Sequence, residues 1–313
     1  GRPGGAGPGG APSGRLQGVE QEGEKTMGKI VIVGSGPAGC SAALYAARAG
    51  QEVVVISMGM GALSKAELIQ NYYGFEEGIT GAELYRQGVA GAKAVGAEFI
   101  TAEVVGLDYT GSLVVQTTEG DYPADAVILA TGAGRIAPKI AGLAEHEGRG
   151  VSYCATCDAF FYRGKTTAVL GSGEYALHEV QALLPLAGKV ILCTNGEPLT
   201  ADFPEGVEIC TEKLAAVEGE EKVSALRLEN GELLPVEGLF VALGVAGSAA
   251  LARKLGAPVE NGRIVVDERM QTGIPGLYAA GDCTGGLLQV CKAVYEGALA
   301  ATEAIKMLRG KKR

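Results

Sequence analysis

Gly34-Ser35-Gly36-Pro37-Ala38-Gly39 is the stretch that decides the fold. It follows an apolar strand predicted over residues 29–33 and opens a helix of small residues that should end near Gly50. In a dinucleotide-binding βαβ unit, the first glycine of such a turn permits the tight bend, the second lets the backbone approach a pyrophosphate, and the third lets helix and strand pack closely. A second strand predicted over residues 53–56 completes the unit, so the stretch predicts a dinucleotide site.

A weaker copy of this pattern lies in the middle of the chain. Residues 166–170 predict a strand, Gly171-Ser172-Gly173-Glu174-Tyr175-Ala176 predicts a second glycine turn, and residues 189–194 predict the strand after it. The candidate nucleotide positions of this turn are Gly171, Gly173 and Ala176. A repeated βαβ unit predicts an α/β protein with two Rossmann-like, three-layer nucleotide-binding domains.

Further strands are predicted along the chain. One is predicted over residues 98–105, and another over residues 126–130 ends in Thr131-Gly132, where backbone would close over a bound nucleotide. A third, over residues 277–280, runs into Gly281-Asp282.

The second glycine turn lacks the side chain that would select its nucleotide. NADPH needs an arginine after the following strand to hold the 2'-phosphate, and the sequence there reads Cys193-Thr194-Asn195-Gly196-Glu197. NADH needs an acidic residue, for which Glu197 is a loose match. The residues leave open whether this turn binds a nucleotide or is vestigial.

Cys154-Ala155-Thr156-Cys157-Asp158 is a candidate redox centre. Two cysteines separated by two residues can close a disulfide when the first opens a helix, whose N-terminus stabilises a thiolate. Asp158 is the nearest titratable group, and it can give and take the proton of a departing thiolate. The alternatives are a zinc site, which needs a second close pair of soft ligands, and a purely structural pair. No metal site is predicted, because the other candidate ligands have no suitable spacing: Cys193, Cys210, His146 and His178.

Composition limits the possible functions. With 313 residues the chain is long enough for two domains, and residues 1–26, rich in glycine, proline and charge, are predicted to be a disordered leader. A formal net charge of -9 argues against nucleic acid as a partner. Seven scattered cysteines do not form a secreted disulfide framework, which favours a cytoplasmic protein. No apolar run reaches the length of about 18 to 20 residues that a membrane span needs, so no membrane partner is predicted.

These motifs together, over residues 27–310, resemble the low-molecular-weight thioredoxin reductases. The signature is Gly-Arg-Gly-Val-Ser-Tyr-Cys-Ala-Thr-Cys-Asp-Ala-Phe-Phe-Tyr at 148–162. The resemblance implies a homodimeric flavoprotein that uses FAD to reduce thioredoxin, with the second nucleotide domain inserted into the first. It implies an FAD-binding domain at 27–134 and 266–313, and an NAD(P)-binding-like domain carrying the cysteine pair at 135–265.

The family's contacts with FAD carry over onto the first glycine loop and onto segments far from it in the chain. A closing helix, predicted from about residue 289 to residue 308, would direct its positive N-terminus at the anionic edge of a reduced flavin. The implied FAD-binding residues are Gly34, Ser35, Gly36, Pro37, Ala38, Gly39, Asn71, Thr131, Gly132, Asp282, Gln289 and Val290.

The electron donor is where the chain departs from the pyridine-nucleotide members of this family. Their His-Arg-Arg is replaced by Cys193-Thr194-Asn195, and their Gly-His-x-Pro-Asn by Gly244-Val245-Ala246-Gly247-Ser248. A shorter loop at 282–289 and the segment Leu63-Ser64-Lys65-Ala66 are similar to the flavin-dependent ferredoxin:thioredoxin reductases. That branch implies reduced ferredoxin rather than NADPH as the donor. The alternatives are an NAD(P)H-dependent thioredoxin reductase, a flavin dithiol oxidase and a non-enzymatic flavin redox sensor.

The resemblance also implies roles for the cysteine pair. Cys157 faces the flavin, Asp158 protonates the departing thiolate, and Cys154 attacks the disulfide of thioredoxin. Because the pair cannot face the flavin and a protein partner at once, we expect a hinge rotation of the inserted domain, with connectors near 133–135 and 266–268.

Overall fold

The structure, a computed structural model, describes residues 27–133, 139–244 and 246–310. The leader predicted at 1–26 and residues 134 and 135 of the first predicted connector lie outside these ranges.

Strands and helices alternate along much of the chain, as expected for an α/β protein. The first part contains β1 (Lys29–Val33), α1 (Pro37–Arg48), β2 (Glu52–Ser57), α2 (Gly81–Ala94), β3 (Glu98–Thr101), β4 (Val104–Tyr109), β5 (Leu113–Thr117), β6 (Gly120–Ala124) and β7 (Ala126–Leu129). The middle part contains β8 (Val151–Ser152), α3 (Ala155–Asp158), β9 (Thr166–Leu170), α4 (Glu174–Leu183), β10 (Lys189–Cys193), β11 (Glu208–Cys210), β12 (Leu214–Glu218), β13 (Ala225–Leu228), β14 (Leu233–Pro235), β15 (Gly238–Val241) and α5 (Ser248–Lys254). The last part contains β16 (Val259–Glu260), β17 (Arg263–Ile264), β18 (Leu277–Ala279) and α6 (Val290–Gly310). Short 3-10 helices cover Gly61–Lys65, Ala159–Tyr162 and Asp282–Thr284.

The first sheet is parallel and runs in the order β18-β7-β1-β2-β3. Ile30 and Ile32 belong to a core with alanines of α1 and α6, whereas Val31 and Val33 face a core shared with the antiparallel sheet β4-β5-β6. Three layers result, with the parallel sheet buried on both faces. The register pairs Val33 with Ile56 and with Leu129, so the carboxyl ends of three strands meet at the edge where the first glycine turn lies.

The second parallel sheet has the order β11-β10-β9-β15-β8. All its strands come from the chain between β7 and β18, which are themselves neighbours in the first sheet. This arrangement confirms the predicted fold class: an α/β protein with two Rossmann-like domains, the second inserted into the first. The domain boundaries near residues 134 and 266 stay predictions.

One predicted strand is wrong. The strand expected over residues 98–105 is divided at Ala102 and Glu103, because β3 completes the parallel sheet whereas β4 starts the antiparallel one. The division places Glu103 at the site described below.

In the part of the chain that the structure describes, every helix is too short or too polar to cross a lipid bilayer.

Candidate active site

A cavity of about 750 Å³ opens at the carboxyl end of the first sheet. Its volume lies in the range of about 300 to 1,000 Å³ that is typical of cofactor sites. Segments distant in sequence meet in its wall, because the strands that precede them end at the same edge. Of the implied FAD-binding residues, those in the wall are Gly34, Ser35, Gly36, Pro37, Ala38, Asn71, Thr131, Gly132, Asp282, Gln289 and Val290.

The glycine turn is shaped to receive a dinucleotide. Gly34 has a φ of 109°, which favours glycine, and a methyl group on Gly39 would overlap the carbonyl oxygen of Gly34. Gly39 is therefore behind the wall, where α1 packs against the turn. Gly36 is different: it is the N-cap of α1, and a methyl group built on it would meet nothing within 4 Å. The open space in front of Gly36 and the free N–H groups of the first helical turn fit a pyrophosphate.

Two side-chain hydrogen bonds connect segments in the cavity wall that are distant in the chain. The side-chain amide of Asn71 donates to Gln289 Oε1 at 2.9 Å, which joins two segments 218 positions apart in the chain. Ser35 Oγ lies 2.6 Å from Ser57 Oγ at the end of β2, so hydroxyl groups stand where an acidic residue is usual.

Asp282 is held by a buried polar network that the sequence analysis missed. The carboxylate of Glu296 accepts from the N–H of Gly281 at 2.8 Å, and Lys292 Nζ donates to the carbonyl of Gly281 at 2.8 Å. Both charged residues lie on α6, whose first residue is Val290 in the cavity wall. The network fixes the backbone next to Asp282, and the helix directs its N-terminus toward the cavity.

Glu103 is an unexpected member of the cavity wall. Its Oε1 is buried and has no hydrogen-bond partner within the described part of the chain. Burial, followed by the charge of Glu174, raises the pKa of this carboxyl group, while the backbone N–H of Tyr175 acts in the opposite direction. The strand prediction that ran through Glu103 gave no sign of this role.

The redox centre is a disulfide between Cys154 and Cys157, whose Cα atoms are 5.3 Å apart. Cys154 is the N-cap of α3, and its Sγ accepts from the backbone N–H of Cys157 at 3.1 Å. Because the first cysteine opens a helix, the N-terminus of that helix is placed to stabilise a thiolate. The two sulfurs differ in exposure: Cys154 is buried and Cys157 is exposed.

Ser152 organises the acidic residue beside the disulfide. Its hydroxyl donates to Asp158 Oδ2 at 2.7 Å and accepts from the backbone N–H of Cys154 at 3.1 Å. Asp158 is thus tied to the strand that precedes the cysteine pair. The sequence analysis missed Ser152, because a lone serine in a short strand carries no distinguishing pattern.

A buried ion pair lies beneath the disulfide. Lys254 Nζ is 2.5 Å from Glu179 Oε1, and the side chains are 2% and 1% exposed. Burial alone would raise the pKa of Glu179, but hydrogen bonds from His178, Lys254 and the N–H of Ala155, together with the charge of Lys254, hold it below its ordinary range. Glu179 therefore stays ionised next to the first turn of α3.

The disulfide lies outside the cavity at the carboxyl end of the first sheet, which we call the dinucleotide cavity. Cys154, Cys157 and Asp158 line a second, smaller pocket of about 270 Å³, and neither cysteine lines the first cavity. The inserted domain instead presents Ala246 and Gly247 to the first cavity.

Hydrogen bonds between Thr131 and Ser248 fix this arrangement. The backbone N–H of Thr131 donates to Ser248 Oγ at 3.1 Å, and the N–H of Ser248 donates to Thr131 Oγ1 at 2.8 Å. The two hydroxyl oxygens are 2.7 Å apart.

The second glycine turn is closely packed within its own domain. A methyl group on Gly171 would overlap the carbonyl oxygen of Ala242, and one on Gly173 would lie 3.0 Å from Thr200 Oγ1. Asn195, which follows the next strand, uses its side-chain oxygen to accept from the N–H of Leu214 at 2.8 Å. The candidate positions Gly171, Gly173 and Ala176, for which the sequence leaves nucleotide binding open, therefore lie in a closely packed turn, and the Asn195 side chain is already engaged.

No group of three or more His, Cys, Asp and Glu side chains that could hold a metal occurs among the described residues.

Comparison with known proteins gives the following matches. A protein-family model described as pyridine nucleotide-disulphide oxidoreductase matches residues 28–297. A thioredoxin reductase of Aquifex aeolicus is 36% identical over 308 residues, which cover 91% of this chain and 94% of that protein. The crystal structure of the atypical thioredoxin reductase TRi from Desulfovibrio vulgaris Hildenborough has a TM-score of 0.85 at 40% identity and covers 91% of this chain and 99% of its own. A ferredoxin-flavin thioredoxin reductase from Clostridium acetobutylicum has a TM-score of 0.69 at 35% identity, with 91% and 99% covered.

Proposed function

Since the chain belongs to the pyridine nucleotide-disulphide oxidoreductase family and, within it, to the low-molecular-weight thioredoxin reductases, we propose that it passes electrons from FAD through Cys154 and Cys157 to the disulfide of a thioredoxin. Members of this family are FAD-binding flavoproteins, and the chain is a flavoprotein disulfide oxidoreductase. The observation that carries the proposal is the Cys154–Cys157 disulfide at the start of α3, in the same chain as a cavity that fits a dinucleotide.

The first glycine turn and the walls of the first cavity would hold FAD. When bound, FAD would be the electron carrier: it can accept electrons singly or in pairs and release two together. In our proposal Gly36 faces the pyrophosphate, Asp282 the ribityl chain, and the Asn71–Gln289 pair with Val290 the isoalloxazine end. The FAD-binding domain comprises residues 27–134 and 266–313 in this proposal, and the inserted domain residues 135–265.

The cysteine pair carries the chemistry that this chain itself performs. Two electrons break the bond between Cys154 and Cys157, and Asp158 gives a proton to the departing thiolate and takes it back before that sulfur attacks. The Cys154 thiolate then attacks one sulfur of the partner's disulfide, which forms a mixed disulfide and releases one partner thiolate. The Cys157 thiolate attacks the sulfur of Cys154 in that mixed disulfide, so the original bond forms again and the second partner thiolate leaves; the two partner thiolates take up one proton from Asp158 and one from solvent, which gives the dithiol.

A domain movement follows from the separation of disulfide and cavity. The sulfurs must approach the flavin to be reduced, yet the structure holds Ala246 and Gly247 against the cavity instead. We therefore propose the hinge at the predicted connectors, residues 133–135 and 266–268. A proline placed in either connector should slow turnover with protein substrate and spare reduction of the flavin by its donor. An equal loss in both half-reactions would contradict the hinge.

Two phenylalanines next to the disulfide support a protein partner. Phe160 and Phe161 are 67% and 68% exposed, and they follow Cys157 by three and four positions. Such exposed aromatic side chains are costly in water and are typical of protein interfaces. They offer thioredoxin an apolar contact in the segment that directly follows the cysteine pair.

We propose reduced ferredoxin as the donor. The segment that follows β10 has no arginine before Arg227, and the Asn195 side chain in that segment is engaged with Leu214. One similar structure is named a ferredoxin-flavin thioredoxin reductase, which supports the same donor. The homodimer implied by the resemblance is part of the proposal, and sedimentation of the purified protein would test it.

The decisive experiment is an anaerobic titration of the flavin absorbance with NADPH, NADH and photoreduced ferredoxin in turn. Bleaching by ferredoxin alone, followed by reduction of an added thioredoxin, is the expected result. The matched control is a variant with Cys154→Ser and Cys157→Ser, which should bleach but leave thioredoxin oxidised. Rapid bleaching by NADH or NADPH would overturn the assignment of ferredoxin as the donor. If the flavin of the unaltered enzyme bleaches but thioredoxin stays oxidised, the assignment of thioredoxin as the substrate is wrong.

A further inference from the structure

The two residues of the ion pair, Glu179 and Lys254, lie next to the redox disulfide. Glu179 Oε2 accepts from the backbone N–H of Ala155, the residue after Cys154, at 2.5 Å. The carbonyl oxygen of Lys254 lies 3.5 Å from Cys157 Sγ, where the thiol of the reduced protein can donate to it. The carboxylate of Glu179 thus contacts the start of α3, and the backbone of Lys254 contacts the second sulfur.

The burial of this pair makes its charges effective. Neither side chain lines the dinucleotide cavity or the pocket around the disulfide, and both are almost fully shielded from solvent. A charge inside a protein acts on its neighbours more strongly than the same charge in water. A carboxylate beside Ala155 disfavours a thiolate on Cys154, and the ammonium group of Lys254 offsets that effect.

We propose that Glu179 and Lys254 are positioning residues that balance the charge beneath Cys154 and so set the redox equilibrium of the disulfide. The inference rests on the proposed function only in requiring that this disulfide is redox-active. It involves no donor, no thioredoxin and no contact with FAD.

Other charged and titratable groups lie beside the ion pair or line the pocket around the disulfide, and they have to be kept constant. Asp158 is bonded to Ser152, and His178 Nδ1 is 3.4 Å from Glu179 Oε1. The ring of Tyr175 lies 5.6 Å from Lys254 Nζ, and the guanidinium of Arg253 lies 4.4 Å from the ring of Tyr153, whose hydroxyl donates to Glu147 Oε1.

Substitutions of the two partners should act in opposite directions. Lys254→Met leaves the carboxylate uncompensated, which raises the energy of the thiolate and favours the disulfide. Glu179→Gln keeps an oxygen for the N–H of Ala155 and leaves the ammonium uncompensated, which favours the dithiol. A role confined to packing would instead move both variants the same way.

The test measures the equilibrium of the disulfide in the FAD-bound enzyme against glutathione redox buffers. Trypsin cleaves after Arg149 and Arg163, so one peptide, residues 150–163, contains both cysteines, and alkylation with mass spectrometry gives its oxidised fraction. We expect about a tenfold shift toward disulfide for Lys254→Met and about a tenfold shift toward dithiol for Glu179→Gln, each equivalent to ~30 mV. The double variant should return to within about threefold of the unaltered enzyme.

A second readout follows the pH dependence of Cys154 alkylation in the reduced enzyme. The pH at which alkylation of Cys154 is half-maximal should rise in Lys254→Met and fall in Glu179→Gln. FAD content and the melting temperature report folding, and Lys254→Gln replaces Lys254→Met if the latter loses FAD. Shifts of the same sign, or shifts below about twofold, would overturn the inference while leaving the proposed function standing. A disulfide that does not exchange even in the unaltered enzyme would overturn both.

Discussion

Gly36→Ala should weaken FAD binding by about tenfold to about 150-fold and leave the fold of the apoprotein intact. The backbone of Gly36 has φ of -69° and ψ of -170°, which alanine adopts without strain, and an added methyl group meets no atom within 4 Å. The cost to the apoprotein is therefore limited to a poorer N-cap, ~1 kcal/mol or less. In the complex, the methyl group occupies space that the pyrophosphate needs. Losing one charge-assisted hydrogen bond there costs about 1.5 to 3 kcal/mol.

The assay is titration of the apoprotein with FAD, followed by quenching of the flavin fluorescence, together with a melting curve of the apoprotein. Gly39→Ala is the matched control, because its methyl group would overlap the carbonyl oxygen of Gly34. It should lower the melting temperature as well as FAD affinity. If Gly36→Ala binds FAD within about twofold of the unaltered protein, the pyrophosphate does not lie in front of Gly36. If the melting temperature of Gly36→Ala is as low as that of Gly39→Ala, a methyl group added at Gly36 does not lie in open space.

Variants elsewhere in the site probe its other parts. Phe160→Ala combined with Phe161→Ala should raise KM for thioredoxin by about tenfold or more, because ~1.5 kcal/mol or more of apolar contact is lost, and stopped-flow reduction of the flavin should not change. Asp158→Asn should slow reduction of thioredoxin in a single turnover by a factor of about 10² to 10⁴, and a rate within about twofold would rule out its proton role. Ser248→Ala should reduce the share of molecules in the observed domain arrangement by about fivefold for each kcal/mol of hydrogen-bond free energy that is lost. Energy transfer between fluorescent probes on the two domains measures this share, and an unchanged value would contradict the prediction. Because the pKa of Glu179 is held below its ordinary range in the folded protein, the stability that this carboxylate contributes is complete above that ordinary range and is lost as the pH falls through the lowered pKa. Glu179→Gln should therefore flatten the acid side of the curve of melting temperature against pH, and two parallel curves would refute the assignment.

The local features of the fold could be read from the sequence because the signals are short. The apolar run at 29–33, the glycine turn after it and the second strand predicted at 53–56 appear in the structure as β1, the start of α1 and β2. The helix that the redox interpretation of the cysteine pair requires is also present, with Cys154 as its N-cap. Each of these depends on residues within a few positions of one another, where backbone preference and burial act together.

The missed parts of the site depend on contacts between distant segments. Glu179 did carry a local signal: on α4 it shares the buried side with Tyr175, Val180 and Leu183, and an acidic residue on a buried helix side needs a partner. That its partner is Lys254, 75 positions away, depends on how α4 and α5 pack. The separation of the disulfide from the cavity likewise depends on how two domains sit together, which no local pattern encodes.

The order of strands in the first sheet has a consequence for synthesis of the protein. β18 is a neighbour of β7 in that sheet, and Asp282 and Gln289 in the cavity wall follow β18 in the chain. The sheet of the inserted domain needs only strands up to Val241. A nascent chain can therefore complete the sheet that lies next to the disulfide before the cofactor cavity exists, and domains generally fold as units in the order of their synthesis. FAD would then be captured last, by a chain whose redox cysteines are already in place.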